Sequence, residues 1–196
     1  PVSDSEAGLS IAKAGEEVCG DAWTSQMDHQ AGTWFVVDGL GHGAEAALAA
    51  QAAIAQFHRD PAAPVTELLQ GVHLAMRHTR GAAVAVARVD WAASTVAFAG
   101  LGNIAAALVS ASGQVRHMVS LNGIAGHNAR KVHAFEYPCT EGLLIMHSDG
   151  IGTGWTLQRY PGFMRLHPLL LAGLLYRDFA RSRDDATVVV ARTARP

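Results

Sequence analysis

Short apolar runs, broken by Gly, Asp or Ser, set the rhythm of this chain. The runs at 9–14, 20–27, 33–37, 82–91, 95–100, 104–110, 114–120, 132–138, 142–148 and 186–192 are rich in Val, Phe, Trp and Ala and are predicted to be strands. Several follow one another through short turns such as Ser112-Gly113, the pattern of antiparallel meanders. Many are apolar on both faces, 82–87 for example, so each is expected to be covered on both sides by a second sheet or by helices. Three longer stretches carry helical spacing. Residues 44–58 are dominated by alanine and follow a glycine-rich loop, so this helix can lie close to its neighbours. Over 65–78, Val65, Leu68, Leu69, Val72 and Met76 form one apolar stripe. Residues 168–181 open with Pro168 in a favoured first-turn position, and the expected buried set is Leu169, Gly173, Tyr176 and Ala180. Strands, two helices, many strands, a helix and a final strand do not make a βαβ alternation. The order predicts an α+β sandwich of two antiparallel sheets with helices outside. No repeat or low-complexity linker interrupts it, so residues 1–196 read as one domain with its core at about 9–192.

Composition narrows the class. Of 196 residues, 49% are hydrophobic and 16% charged, a balance that supports a packed core rather than disorder. The net charge of −2, with no long basic run, sets nucleic-acid binding aside. Cys19 and Cys139 are the only cysteines, too few for a disulfide framework or a cysteine-rich zinc site. No apolar run approaches the ~18 residues of a membrane span, and no signal sequence is read at the start. A cytoplasmic protein with no membrane partner is expected.

Four aspartates stand where a strand meets a turn. Asp21 follows Cys19-Gly20. Asp38 ends an apolar strand and opens Asp38-Gly39-Leu40-Gly41-His42-Gly43. Asp149 ends another in Ser148-Asp149-Gly150, and Asp184 begins Asp184-Asp185-Ala186-Thr187 before the last strand. Taken singly, each reads as a turn, and Asp184-Asp185 as the cap of the last one. Together they suggest strand ends converging on a carboxylate cluster, where like charges raise one another's pKa until a divalent cation relieves them. All-oxygen ligands favour Mg²⁺ or Mn²⁺ over zinc, and Gly39, lacking a side chain, lets its carbonyl approach an ion.

These segments, with Gly100-Leu101-Gly102-Asn103-Ile104, Asn122-Gly123-Ile124-Ala125-Gly126 and Arg183-Asp184-Asp185-Ala186-Thr187-Val188-Val189, resemble the SpoIIE-type branch of the metal-dependent serine/threonine phosphatases, the 2C-like superfamily. The Asp-Gly-Leu-Gly-His-Gly form is most similar to its RsbX-like subgroup, and the resemblance runs from about Leu9 to Arg192. It implies an α-β-β-α sandwich and a site for two divalent cations, Mn²⁺ or Mg²⁺. Asp38 and the Gly39 carbonyl match the bridging positions. Asp21 matches a ligand of one ion, and Asp149 and Asp184 ligands of the other. Catalysis would run through the four aspartates and a water that the cations activate for in-line attack on phosphorus. The substrates implied are phosphorylated proteins, among them STAS-domain proteins of bacterial stress complexes. Eukaryotic relatives hold phosphate with an arginine upstream of the first acidic motif. Only Lys13 precedes Asp21 here, which leaves phosphate to the metals.

Other side chains carry paired readings. His42 is either a proton donor to the leaving oxygen or a loop histidine bonded to backbone. His147 shares a strand face with Asp149, but a satisfied core histidine is the favoured reading. Asn103 touches substrate or a water at the metals, or simply forms a turn. In the irregular stretch 152–166, Arg159 and Arg165 are candidates to meet the phosphoprotein, while Trp155, Tyr160 and Phe163 are read as core. Two alternatives compete with the hydrolase. One is a binding module of the same fold, against which all four aspartates argue. The other is an ATPase of the histidine-kinase type, which lacks its Asn-bearing helix before Asp38 and leaves Asp149 and Asp184 unexplained. No P-loop signature is present.

Overall fold

The computed structural model describes residues 4–129 and 132–195. Ten strands are assigned: β1 Glu6–Ile11, β2 Asp21–Met27, β3 Ala31–Gly39, β4 Ala82–Asp90, β5 Thr95–Leu101, β6 Ala105–Ser110, β7 Val115–His117, β8 Phe135–Pro138, β9 Gly142–His147 and β10 Ala186–Arg192. They form two five-stranded sheets in the orders β2-β3-β4-β5-β8 and β1-β10-β9-β6-β7, and every ladder between strands is antiparallel. Helices α1 Ala44–Phe57 and α2 Val65–Ala75 cover the outer face of the first sheet. Helix α3 Pro168–Phe179 covers that of the second. This is the expected α-β-β-α order, and no helix among the described residues is long and apolar enough to cross a membrane.

Three apolar layers follow from strand alternation. Phe35 and Val37 of β3 point to α1 and α2, where Phe35 stacks on Phe57 with ring centroids 5.4 Å apart. Trp34 and Val36, the alternate residues, point between the sheets to meet Leu144, Met146, Val189 and Ala191. Leu143, Ile145, Val188 and Val190 point to α3. Strands buried on both faces explain why the runs read as apolar throughout.

The stripe expected on α2 is buried as read: Val65, Leu68, Leu69, Val72 and Met76. On α3 the expected phase is wrong. Pro168, Leu171, Ala172 and Leu175 are buried, and Leu169 is 46% exposed. Leucines surround this helix, so spacing alone cannot choose a face. The N-cap His167, which accepts from Leu169 N, and the bond from Tyr160 to Asp178 fix its rotation. The strand expected over 114–120 shrinks to Val115–His117, and that over 132–138 to Phe135–Pro138. Strand β1 begins and ends three residues earlier than expected. The aromatics of 152–166 pack on α3 and its sheet, with Trp155, Tyr160 and Phe163 all buried.

Candidate functional site

Alternation decides where the first two aspartates point. Since Trp34 and Val36 face the space between the sheets, Asp38 two residues on faces it too. Asp21 is its partner across the β2–β3 ladder, so both carboxyls leave the same face at one end of the sandwich. The opposite sheet supplies the other two. Asp149 follows β9 and Asp184 precedes β10. The two strands are neighbours, and Ser148 N and Thr187 O, 3.1 Å apart, close the ladder beside the acids.

The charges feel one another. Burial pushes the Asp38 carboxyl up to about 8, and the charges of Asp21, Asp149 and Asp184 add to it. Burial likewise pushes Asp21 up to about 7. The neighbouring Ser148 and Thr187 hydroxyls oppose the rise, while Asp185 and Asp184 reinforce it. Asp149 is raised by burial and by Asp184, against the pull of Arg181. Asp21 is 5% exposed, and its Oδ2 is a buried acceptor with no hydrogen-bond partner. Such an atom costs stability unless something positive meets it.

Among the described residues, no three His, Cys, Asp or Glu side chains stand in a geometry that could hold a metal ion. The donor chemistry nonetheless fits a hard divalent cation. The four acids offer oxygen alone, and Asp21 carries an unmet lone pair into the buried part of the cluster.

Gly39 has a packing task as well. A Cβ there would lie 2.4 Å from Ala46 O of α1, and one on Gly20 would lie 2.6 Å from the Ala46 Cβ. Two glycines and an alanine thus let α1 seat directly against the strand ends that carry Asp21 and Asp38. Gly41 and Gly43 take positive φ angles of 86° and 75°, which turn the chain sharply into the helix.

Asp185, read from sequence only as a turn former, is 2% exposed and ties the site together. Its Oδ1 accepts from Lys13 N at 2.7 Å and its Oδ2 from Gly20 N at 2.8 Å, which fixes the β1–β2 connection just before Asp21. The available signal was a second acid, in line with inward-facing Thr187 and Val189, directly before an apolar strand.

His42 is exposed and tied to that same connection. Nδ1 lies 2.5 Å from Glu16 Oε1 and Nε2 2.9 Å from Lys13 Nζ. Lysine has only donors, so Nε2 accepts and Nδ1–H donates to Glu16. His42 is therefore held by side chains and not by backbone. Asn103 Nδ2 donates to Asp149 Oδ2 at 2.6 Å. His147 is a satisfied core residue that bonds Ser148 O at 2.8 Å and accepts from Trp155 Nε1 at 3.0 Å. Arg159 lies over the Phe179 ring at 5.5 Å, and Arg165 is exposed on the turn Phe163–Arg165. Neither lines the cavity of about 600 Å³ beside Asp149 and Asp184, whose other walls are Ala180, Arg181, Ser182 and Arg183. Burial pushes the Cys19 thiol up to about 12, so it offers no thiolate nucleophile at neutral pH.

No family model matches the sequence, and no curated protein matches it. Solved structures do. A chain from work on the bacterial stressosome, described as a modular system adapted to control secondary messenger signalling, is 33% identical. It covers 96% of this chain and 98% of its own, with a TM-score of 0.87. RsbX in complex with magnesium is 20% identical over 95% of this chain and 94% of its own, at a TM-score of 0.82. The PP2C phosphatase domain of SpoIIE from Bacillus subtilis, solved with a fragment of its regulatory domain, is 22% identical. It covers 96% of this chain and 62% of that one, at 0.77.

Proposed function

We propose that the chain, which shares the fold of RsbX and of the SpoIIE PP2C phosphatase domain, is a metal-dependent phosphoserine/phosphothreonine protein phosphatase of the SpoIIE/RsbX type. The observation that carries this reading is the convergence of Asp21 and Asp38 from one sheet with Asp149 and Asp184 from the other, with the buried Asp21 Oδ2 left unmet. These four carboxylates, with the Gly39 carbonyl, would hold two divalent cations, Mn²⁺ or Mg²⁺, with Asp38 shared. Bound cations of this kind make a water acidic enough to attack phosphorus and offset charge on the phosphoryl oxygens.

The remaining roles fall to the protein's own side chains. Asn103 orients Asp149 through its 2.6 Å bond. Asp185 fixes the connection that leads into Asp21. His42, at the rim between Glu16 and Lys13, is the candidate to return a proton to the leaving oxygen. Arg159 and Arg165 lie farther out, on the segment that would meet the body of the phosphoprotein. Direct hydrolysis is the step proposed, and burial holds the nearby Cys19 thiol protonated. The substrates we favour are phosphorylated STAS-domain proteins of bacterial stress complexes. The stressosome chain and RsbX among the similar structures support that choice.

The test is phosphate release from a phosphoserine peptide and from para-nitrophenyl phosphate, with and without Mn²⁺. We expect release only with metal, and its loss in Asp38→Asn. An absence of release under both conditions would leave a binding module in place of an enzyme.

A further inference from the structure

We propose that Arg181 and Arg183 form the phosphoryl-binding wall of this site, taking the oxygens of the phosphomonoester dianion on the open side of Asp149 and Asp184. The proposal rests on the hydrolase reading and adds to it the protein groups that grip the phosphate. The two arginines are the only cations lining the cavity that Asp149 and Asp184 also line, and its remaining residues are Ala180 and Ser182. Both are exposed. Among the described residues neither guanidinium makes a hydrogen bond or an ion pair, although two carboxylates share the cavity with them.

The main chain at Arg181, by contrast, is pinned. Arg181 N donates to Gly150 O at 2.7 Å, Gly152 N donates to Phe179 O at 2.9 Å, and Ile151 and Ala180 form a bridge. A Cβ on Gly150 would lie 1.9 Å from Asp185 O, so the Asp149 turn and the turn into β10 are packed backbone to backbone. Arg181 therefore rises from a fixed edge of the acidic cluster, with Arg183 two residues on, and the donors of both are uncommitted.

Charge gives this arrangement its purpose. A phosphomonoester carries about −1.5 to −2 near neutral pH. It must approach four aspartates, a field that repels it wherever the cations do not fully offset it. A guanidinium at the mouth reverses the local sign and presents a planar fork that matches two phosphoryl oxygens. Once cations occupy the carboxylates, the arginines have no competing partner in the cavity.

The experiment uses Arg181→Ala, Arg183→Ala, the double variant and Arg181→Lys, each loaded with Mn²⁺. Titration calorimetry with inorganic phosphate needs no turnover, and Mn²⁺ affinity measured in parallel reports on the metal site. We expect each alanine variant to weaken phosphate binding and raise KM for para-nitrophenyl phosphate by about tenfold, the scale of one charge-assisted hydrogen bond. The double variant should lose more, and Arg181→Lys should recover part of the loss. Mn²⁺ affinity should not fall. Both side chains are exposed, so melting temperatures should match the parent. Unchanged phosphate affinity and KM in a double variant that still turns over would overturn the proposal and leave the hydrolase intact. So would a defect confined to phosphoprotein substrates, which would place the arginines against the protein body. If the parent binds phosphate without hydrolysing it and the double variant does not bind, the hydrolase reading fails and the arginine wall stands. If the parent with Mn²⁺ neither binds nor hydrolyses, both fall.

Discussion

The two halves of the acidic cluster are built differently. Asp21 and Asp38 are borne on neighbouring strands, paired across a ladder and pushed up to about 7 and 8, chiefly by burial and also by nearby carboxylates, although the Ser148 and Thr187 hydroxyls oppose the rise at Asp21. Asp149 and Asp184 are borne on turns, face an open cavity, and have local relief. Asn103 donates to Asp149, and Arg181 draws its carboxyl down. On the proposed reading the strand half would lean on a bound cation, while the turn half is partly compensated by the protein and open to the cavity. On that reading, a buried pair beside a more accessible one would divide the holding of ions from the admission of an anion.

Substitution of one acid in each half should break this contrast most clearly. Asp38→Asn and Asp149→Asn should each cost roughly a hundredfold or more in metal-dependent phosphate release, given that outer groups alone cost 10–100-fold at metal sites. Their metal-free forms should diverge. In EDTA at pH 8, Asp38→Asn should melt several degrees above the parent because it removes a buried, repelled carboxylate. Asp149→Asn should gain less. Equal shifts in the two melting curves would erase the distinction.

A second, smaller effect lies in pH. Unfolded, Asp21 and Asp38 ionise near their ordinary value of 3.8; folded and metal-free, near 7 and 8. Between those limits the folded state holds protons that the unfolded state has released, so stability falls as pH rises. The contribution is lost progressively from about pH 4 and levels off once both folded carboxyls have ionised, above about pH 8. Melting curves in EDTA at pH 5.5 and 8.5 should show that drop, and added Mn²⁺ should raise the melting temperature more at pH 8.5. A flat metal-free profile would mean the strand half is not under electrostatic load.

Least drastic is Asn103→Ala, which removes one donor from Asp149 on the relieved side. It should weaken Mn²⁺ binding by about tenfold, read by calorimetry, with little change in melting temperature because the bond is exposed. No loss of Mn²⁺ affinity would reduce Asn103 to a turn residue.

Much of this was legible in the sequence where one physical rule acted alone. The stripe of α2 was readable because its apolar residues lie on one side, and the two-sheet order because the strands were apolar on both faces. Asp38 could be placed because it ends a strand whose alternation is strict. The phase of α3 was hidden because leucines surround it and a capping histidine, with the Tyr160–Asp178 bond, sets its rotation. The service of Asp185 to Lys13 and Gly20 was hidden because it joins residues more than 160 positions apart. The contact of Gly39 with Ala46 was hidden because a glycine's reason is often the atom that would otherwise strike it. Arg181 and Arg183 drew no reading of their own from the sequence, and it is the cavity that places them beside two acids.

Strand β10 lies between β1 and β9, so the last strand among the described residues enters the middle of its sheet and not its edge. A growing chain on the ribosome therefore carries β1 and β9 as unsealed neighbours of a vacant lane, with Asp184 not yet delivered to Asp21. On the proposed reading, ion capture would wait until that lane is filled.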